Sequence, residues 1–186
     1  MVFEEKEIIL KDGRKCKLRS IDKSDAADMI EYLRIVSGET EFLLRYADEV
    51  TYTIEDEAKL LEGKRNAPRE IMMAAEVEGK LAGTCCIMAK GEIRRIRHRC
   101  DFAIALAQEF CDAGLGTEMM KYALSLAKEM GYEQVELGVV DGNNRAKHLY
   151  EKMGFVEIGK TLKALKYDDG SYRDEYLMVK MLSKDS

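Results

Sequence analysis

Tryptophan is absent from the 186 residues, proline occurs once, at Pro68, and there are two histidines. No apolar run approaches the roughly 18 residues needed to cross a bilayer. The opening MVFEEKEIIL also lacks the basic flank and apolar block of a secretory leader. No membrane partner is therefore expected, and the expected location is cytoplasmic. The five cysteines, at 16, 85, 86, 100 and 111, contain no C-x-x-C pair, and His98 and His148 do not complete a zinc-site spacing. Reduced, mostly buried thiols and no metal are expected. A net charge of −5, from 30 basic and 35 acidic side chains, argues against nucleic acid as a partner. Without a linker or repeat, residues 1–186 read as a single domain, long enough to bury a sizeable core.

What is present is a regular alternation of strand and helix patterns. EIILKDGRKCKLRSI reads as two short strands about the turn signal Asp12-Gly13. A helix is predicted over 24–36, capped by Ser24 or Asp25, with Ala26, Met29, Ile30 and Leu33 as its apolar stripe. Residues 37–53 read as a loop or broken helix, and 54–65 as a second helix. EIMMAAEVEGKLAGTCCIMAK and RHRCDFAIAL supply a three-stranded meander. A helix over 115–130 stops at Gly131, a strand over 134–140 follows, and a helix over 145–153 stops at Gly154. The end is a long hairpin about Asp168-Asp169-Gly170. This order predicts an α/β fold: one mixed, mostly antiparallel sheet with helices on both faces.

The stretch FCDAGLGTEMMKYAL carries the first chemical signal. Gly114 and Gly116 open an amphipathic helix whose first-turn amides lack partners and whose dipole favours an anion. Such a mouth suits a pyrophosphate. It is equally an ordinary turn into a helix, and it is neither a Walker loop nor a dinucleotide fingerprint.

The second signal is NNRAKHLYEKMGF, spanning 143–155. Taken with FAIALAQEFCDAGLGTEMM, it resembles the GNAT superfamily of N-acetyltransferases, closely over about residues 98–160. The resemblance implies a sheet splayed between core strands 4 and 5, with acetyl-CoA held in the gap as co-substrate. It assigns backbone groups near Ile104 and Leu106 to the pantetheine arm. The amides of Ala113, Gly114, Leu115, Gly116 and Thr117 would take the pyrophosphate, Asn144 a cofactor contact, and Tyr150 a place near the thioester sulfur. Read from the residues alone, Tyr150 lies on the apolar stripe of its helix and could pack, while Asn144 could cap it.

The chemistry expected of the family is direct transfer to a primary amine, of a small molecule or a peptide N-terminus. An alkyl ammonium with a pKa of ~10.4 must first lose a proton. The attack builds an oxyanion that strand amides can stabilise, and the departing thiolate needs a donor such as Tyr150. Asp101 is the candidate base, with Glu76 and His98 behind it; Glu109 reads as surface. The acceptor side is expected in residues 36–52, where Glu39, Glu41, Asp48 and Glu49 lie among Phe42, Tyr46 and Tyr52. One departure stands out: the family's loop carries Arg or Gln three residues before its first glycine, and here that residue is Cys111. The basic run Arg94-Arg95-Ile96-Arg97-His98-Arg99 either offsets that loss or is a solvated hairpin end. An alternative of another class is a non-catalytic acyl-CoA-binding sensor. The resemblance also admits a homodimer through the C-terminal hairpin.

Overall fold

A computed structural model describes residues 1–182. Strands β1 (Lys6–Ile9) and β2 (Lys15–Ser20) form the first hairpin and lead to helices α1 (Ala26–Glu39) and α2 (Ile54–Asn66). The meander β3 (Ile71–Val77), β4 (Lys80–Ala89) and β5 (Arg99–Leu106) precedes α3 (Leu115–Glu129), β6 (Gln134–Val140) and α4 (Asn144–Lys152). The hairpin β7 (Val156–Lys166) and β8 (Tyr172–Met181) closes the chain. The eight strands form one sheet in the order β1-β2-β3-β4-β5-β6-β8-β7. Every adjacent pair is antiparallel except β5 and β6, which are parallel.

Local chemistry accounts for the boundaries. Asp22 opens a short turn ahead of the helix, its carboxylate accepting the Ser24 amide while Asp25 accepts the Asp22 amide; Asp25 stands at the N-cap position of α1, as expected, but its side chain makes no capping bond there. The chain therefore makes a short 3-10 turn at 23–25 before α1 begins. Thr53 caps α2 by accepting the Asp56 amide. The last helix also departs from expectation: Asn143, not Asn144, is its cap, its side chain accepting the Ala146 amide at 3.2 Å. Asn144 is left as the exposed first residue of α4.

Two layers of helix cover the sheet. Leu115, Met119, Met120, Ala123 and Ala127 of α3 are fully buried against one face; burying each of the larger ones stabilises the fold by about 1.5–3 kcal/mol. Gly83 of β4 lies directly under Met119 and in register with Leu106, so α3 covers the face that carries Cys100, Phe102, Ile104 and Leu106. The opposite face carries Asp101, Ala103 and Ala105. There Tyr32 of α1 donates to the Ala105 carbonyl at 2.7 Å. Arg19 of β2 holds Asp25 at 2.8 Å and Glu76 at 2.9 Å on the same side.

Candidate active site

The parallel contact between β5 and β6 lasts only three residue pairs, Arg99 with Gln134 through Asp101 with Glu136. Beyond them each strand keeps its outer partner, β5 staying on β4 as far as Leu106 and β6 on β8 as far as Val140. The two strands therefore part into a wedge. Numbered along the whole chain, the splay falls between the fifth and sixth strands.

Alternation within each strand shows which backbone groups line the wedge. Ala107 donates to Ala82 at 3.0 Å, so Ala105 and Ala103 also address β4, while the N–H and C=O of Ile104 and Leu106 face the gap. On the other wall Asp141 donates to Asp174 at 2.9 Å, which turns the backbone of Gly138 and Val140 toward the gap. Extended backbone with unpaired edges is costly unless water or a ligand satisfies it.

At the mouth of the wedge, Gly114 takes φ 86 as the residue before α3, a left-handed conformation that L side chains resist. The chain reaches it through Asp112 at φ 65. None of the amides of Ala113, Gly114, Leu115, Gly116 or Thr117 donates to a described residue. Five free donors at a positive helix end form a cradle that a pyrophosphate would fill. A Cβ built on Gly116 would lie 3.2 Å from Leu106 Cδ1 and 3.3 Å from Leu149 Cδ2, so any side chain there would have to shift those two leucine ends by a few tenths of an ångström.

Cys111 supplies no cation, and its thiol turns inward toward the Ala107 carbonyl at 3.8 Å. A cationic side chain from elsewhere in the chain lies beside the loop. Lys11, in the β1–β2 turn, donates its amide to the Ala113 carbonyl at 3.0 Å and lays its side chain along Gly114. Its ammonium has no acidic partner among the described residues. Arg145, at 3.7 Å from Asp112, offsets that carboxylate's charge. Sequence reading missed Lys11, because nothing local ties residue 11 to residue 114. The basic run lies away from this loop: it ends at Arg99, at the closed end of β5, about 20 Å of strand from the loop. There Arg94, Arg97 and His98, with Arg69, line a surface cleft.

Tyr150 is 6% exposed, with its ring against Phe155 at 6.1 Å between centroids. Burial pushes its hydroxyl up to about 12. That hydroxyl bonds to no described residue, yet no sealed side-chain oxygen among the described residues lacks a partner, so it opens onto accessible space. Packing and an outward-reaching hydroxyl are both true of this residue. Helix α4 lies on the α3 side of the sheet: Leu149 approaches Gly116, and the Lys147 ammonium sits 3.9 Å from the Tyr176 ring centroid.

The carboxylates sort differently from expectation. Asp101 stands at the closed end of the wedge, held by Lys90 at 2.6 Å, and Lys90 also reaches Glu136. Glu76 is bound to Arg19, and Glu109 is exposed, as expected for surface. His98 lies in the cleft at the closed end, not in the wedge. In the acceptor loop, Glu39 accepts the Gln108 amide at 2.8 Å, Glu41 pairs with Arg173 at 2.6 Å, and Glu49 accepts the Tyr46 amide at 2.9 Å. These three hold the loop to the sheet and fold it locally. The loop does face the C-terminal hairpin, enclosing about 170 Å³ between residues 40–46 and 164–167. No cluster of three or more metal-binding side chains occurs among the described residues.

A sheet parted at one parallel pair, with a helix N-terminus at its mouth, defines an α/β protein of the acetyltransferase class. The Acetyltransferase (GNAT) family profile matches residues 37–155. The acetyltransferase of GNAT family from Streptococcus pneumoniae superposes with a TM-score of 0.84 at 30% identity, over 90% of this chain and 99% of that one. YncA from Salmonella typhimurium, solved with its cofactor acetyl-CoA, superposes with a TM-score of 0.78 at 16% identity, over 92% and 96%. Spermidine N(1)-acetyltransferase from Escherichia coli K12 is 23% identical over 163 residues, 87% of this chain and 83% of its own. The chain belongs to the GNAT family of acetyltransferases.

Proposed function

We propose that the protein transfers an acetyl group from acetyl-CoA to a primary amine by direct attack on the thioester. The observation that carries this reading is the wedge itself. Free backbone groups of Ile104 and Leu106 line one wall, five free amides close its mouth, and the open hydroxyl of Tyr150 stands on the α3 side. The amides from Ala113 to Thr117, helped by Lys11, would hold the pyrophosphate, and Asn144, exposed at the start of α4, would add a contact.

Tyr150 stays protonated at neutral pH, because its own anion is desolvated. The same burial would raise the proton affinity of a thiolate formed beside it, which keeps the two within reach of one another. Tyr150 then donates a hydrogen bond to sulfur as the C–S bond lengthens, and the proton follows. The acceptor is a cationic amine, small molecule or peptide N-terminus, entering from the α1–α2 side. The name of the spermidine-acetylating relative agrees with a cationic acceptor.

A sensor that binds acyl-CoA without turnover is the second reading, favoured by the cysteine at 111 and weakened by Lys11 beside Gly114. Thermal shift and thiol release divide them. Acetyl-CoA should stabilise the protein, and a panel of primary amines should release free CoA. Stabilisation with no release across the panel would select the sensor, and no stabilisation would sink both. The reading includes a homodimer through β7, which exposes Val156, Ile158 and Leu162; light scattering would report a monomer if this is wrong.

A further inference from the structure

Glu175 lies on β8, in register with Val140 of β6 and Thr161 of β7. Those registers put its side chain on the α1–α2 face, beside Gly138 and opposite in hand to the face that carries α4. A Cβ built on Gly138 would overlap the Glu175 carboxylate, with Oε2 at 3.0 Å. Gly138 therefore leaves a site on β6 that a carboxylate from the neighbouring strand occupies. Its backbone is the group that faces the wedge just beyond the last β5–β6 pair.

Among the described residues, the carboxylates on the neighbouring strands are engaged, and so are two in the loop above. Asp101 and Glu136 share Lys90, Asp141 and Asp174 share Lys160, Glu41 holds Arg173, and Glu39 holds the Gln108 amide. Glu175 bonds to no described residue and is only partly exposed. Of the other charged groups on this face, Arg173 two residues along β8 pairs with Glu41 in the loop above, and Glu136 two residues from Gly138 pairs with Lys90. Three phenols on the same side are engaged: Tyr32 on the Ala105 carbonyl, Tyr167 on the Glu41 carbonyl, and Tyr46 accepting the Asp168 amide.

We infer that Glu175 is the proton acceptor for the incoming amine, an assignment that rests on the acetyl-transfer reading above. Its carboxylate attracts the ammonium, takes one proton and passes it to solvent. The neutral nitrogen then forms the C–N bond as the C–S bond breaks. The nitrogen gives its second proton to Glu175, which releases it to solvent, and Tyr150 protonates the sulfur and is itself reprotonated through solvent. The balance is one ammonium and one thioester consumed, with one amide, one thiol and one proton produced. Base and acid thus reach the wedge from opposite faces of the sheet.

The test is the pH profile of kcat/KM for Glu175→Gln, with acetyl-CoA affinity and thermal melting measured alongside. We expect a fall of about 100-fold at pH 7. The deficit should shrink as pH rises toward the amine's own pKa of ~10.4, where solvent does the deprotonation. Acetyl-CoA affinity should change less than twofold. A variant within threefold of wild type with an unchanged profile would overturn the assignment. So would an equal loss at every pH, which marks a positioning role. Wild-type protein that binds acetyl-CoA but turns over no amine would overturn the acetyl-transfer reading, and the base with it.

Discussion

The two ends of the β5–β6 pair are built from the same strands and differ in almost every physical respect. At the closed end, Arg99, Asp101, Glu136 and Lys90 interlock. Burial pushes Glu136 toward its neutral form, but hydrogen bonds from Arg99 and Lys90 outweigh that and hold its carboxyl below the usual range. At the open end the facing residues are Ala103, Ala105 and Gly138, and the Glu175 carboxylate from the next strand has no partner among the described residues. Charge at the closed end is consumed in holding two strands together, whereas at the open end one carboxylate is left without a partner among the described residues. A carboxylate's place along the strand, rather than its residue type, decides which job it has.

That contrast can be broken or sharpened by mutation. The largest effect after Glu175→Gln is expected at the open end: Tyr150→Phe should cut turnover by about 100-fold or more while leaving acetyl-CoA affinity within twofold, measured by thiol release and calorimetry. Tyr150 also carries a stability signature. Its hydroxyl is raised from 10.0 to about 12 by burial, so the folded state favours the protonated phenol. The sign follows: the contribution is complete below pH 10 and is lost as pH rises through about 12. Relative to Tyr150→Phe, wild type should lose about 2–3 kcal/mol of stability across that window, read from denaturant melts.

A smaller effect is expected at the loop. Lys11→Ala should weaken acetyl-CoA binding several-fold at low ionic strength, with the difference closing as salt is raised. The smallest is expected at the closed end. Asp101→Asn should leave turnover within threefold, and it should cost under about 1 kcal/mol, since the Lys90 and Asp101 side chains are 31% and 37% exposed. A hundredfold loss there would return the base to Asp101 and erase the contrast.

Much of this was legible in the chain. The limits of β6 and the position of the α3 stripe follow from periodicity, and the stops at Gly131 and Gly154 from glycine's tolerance of positive φ. The helix caps were less legible, since Asp22 and Asn143 compete with equally suitable neighbours one to three residues away. Lys11 and Glu175 were not legible at all. Lys11 lies 103 positions before Gly114, and Glu175 lies 37 after Gly138, so only strand register brings either into place.

The sequence by itself determined the order of strands and helices and the conformational freedom at Gly114 and Gly116, because both depend on residues close in the chain. It also determined the family, through two motifs whose spacing is local. Only the tertiary structure decided which charges are consumed and which are free. A carboxylate's partner is set by which strand edge and which sheet face meet in space, and Coulomb attraction over 3 Å takes no account of distance along the chain.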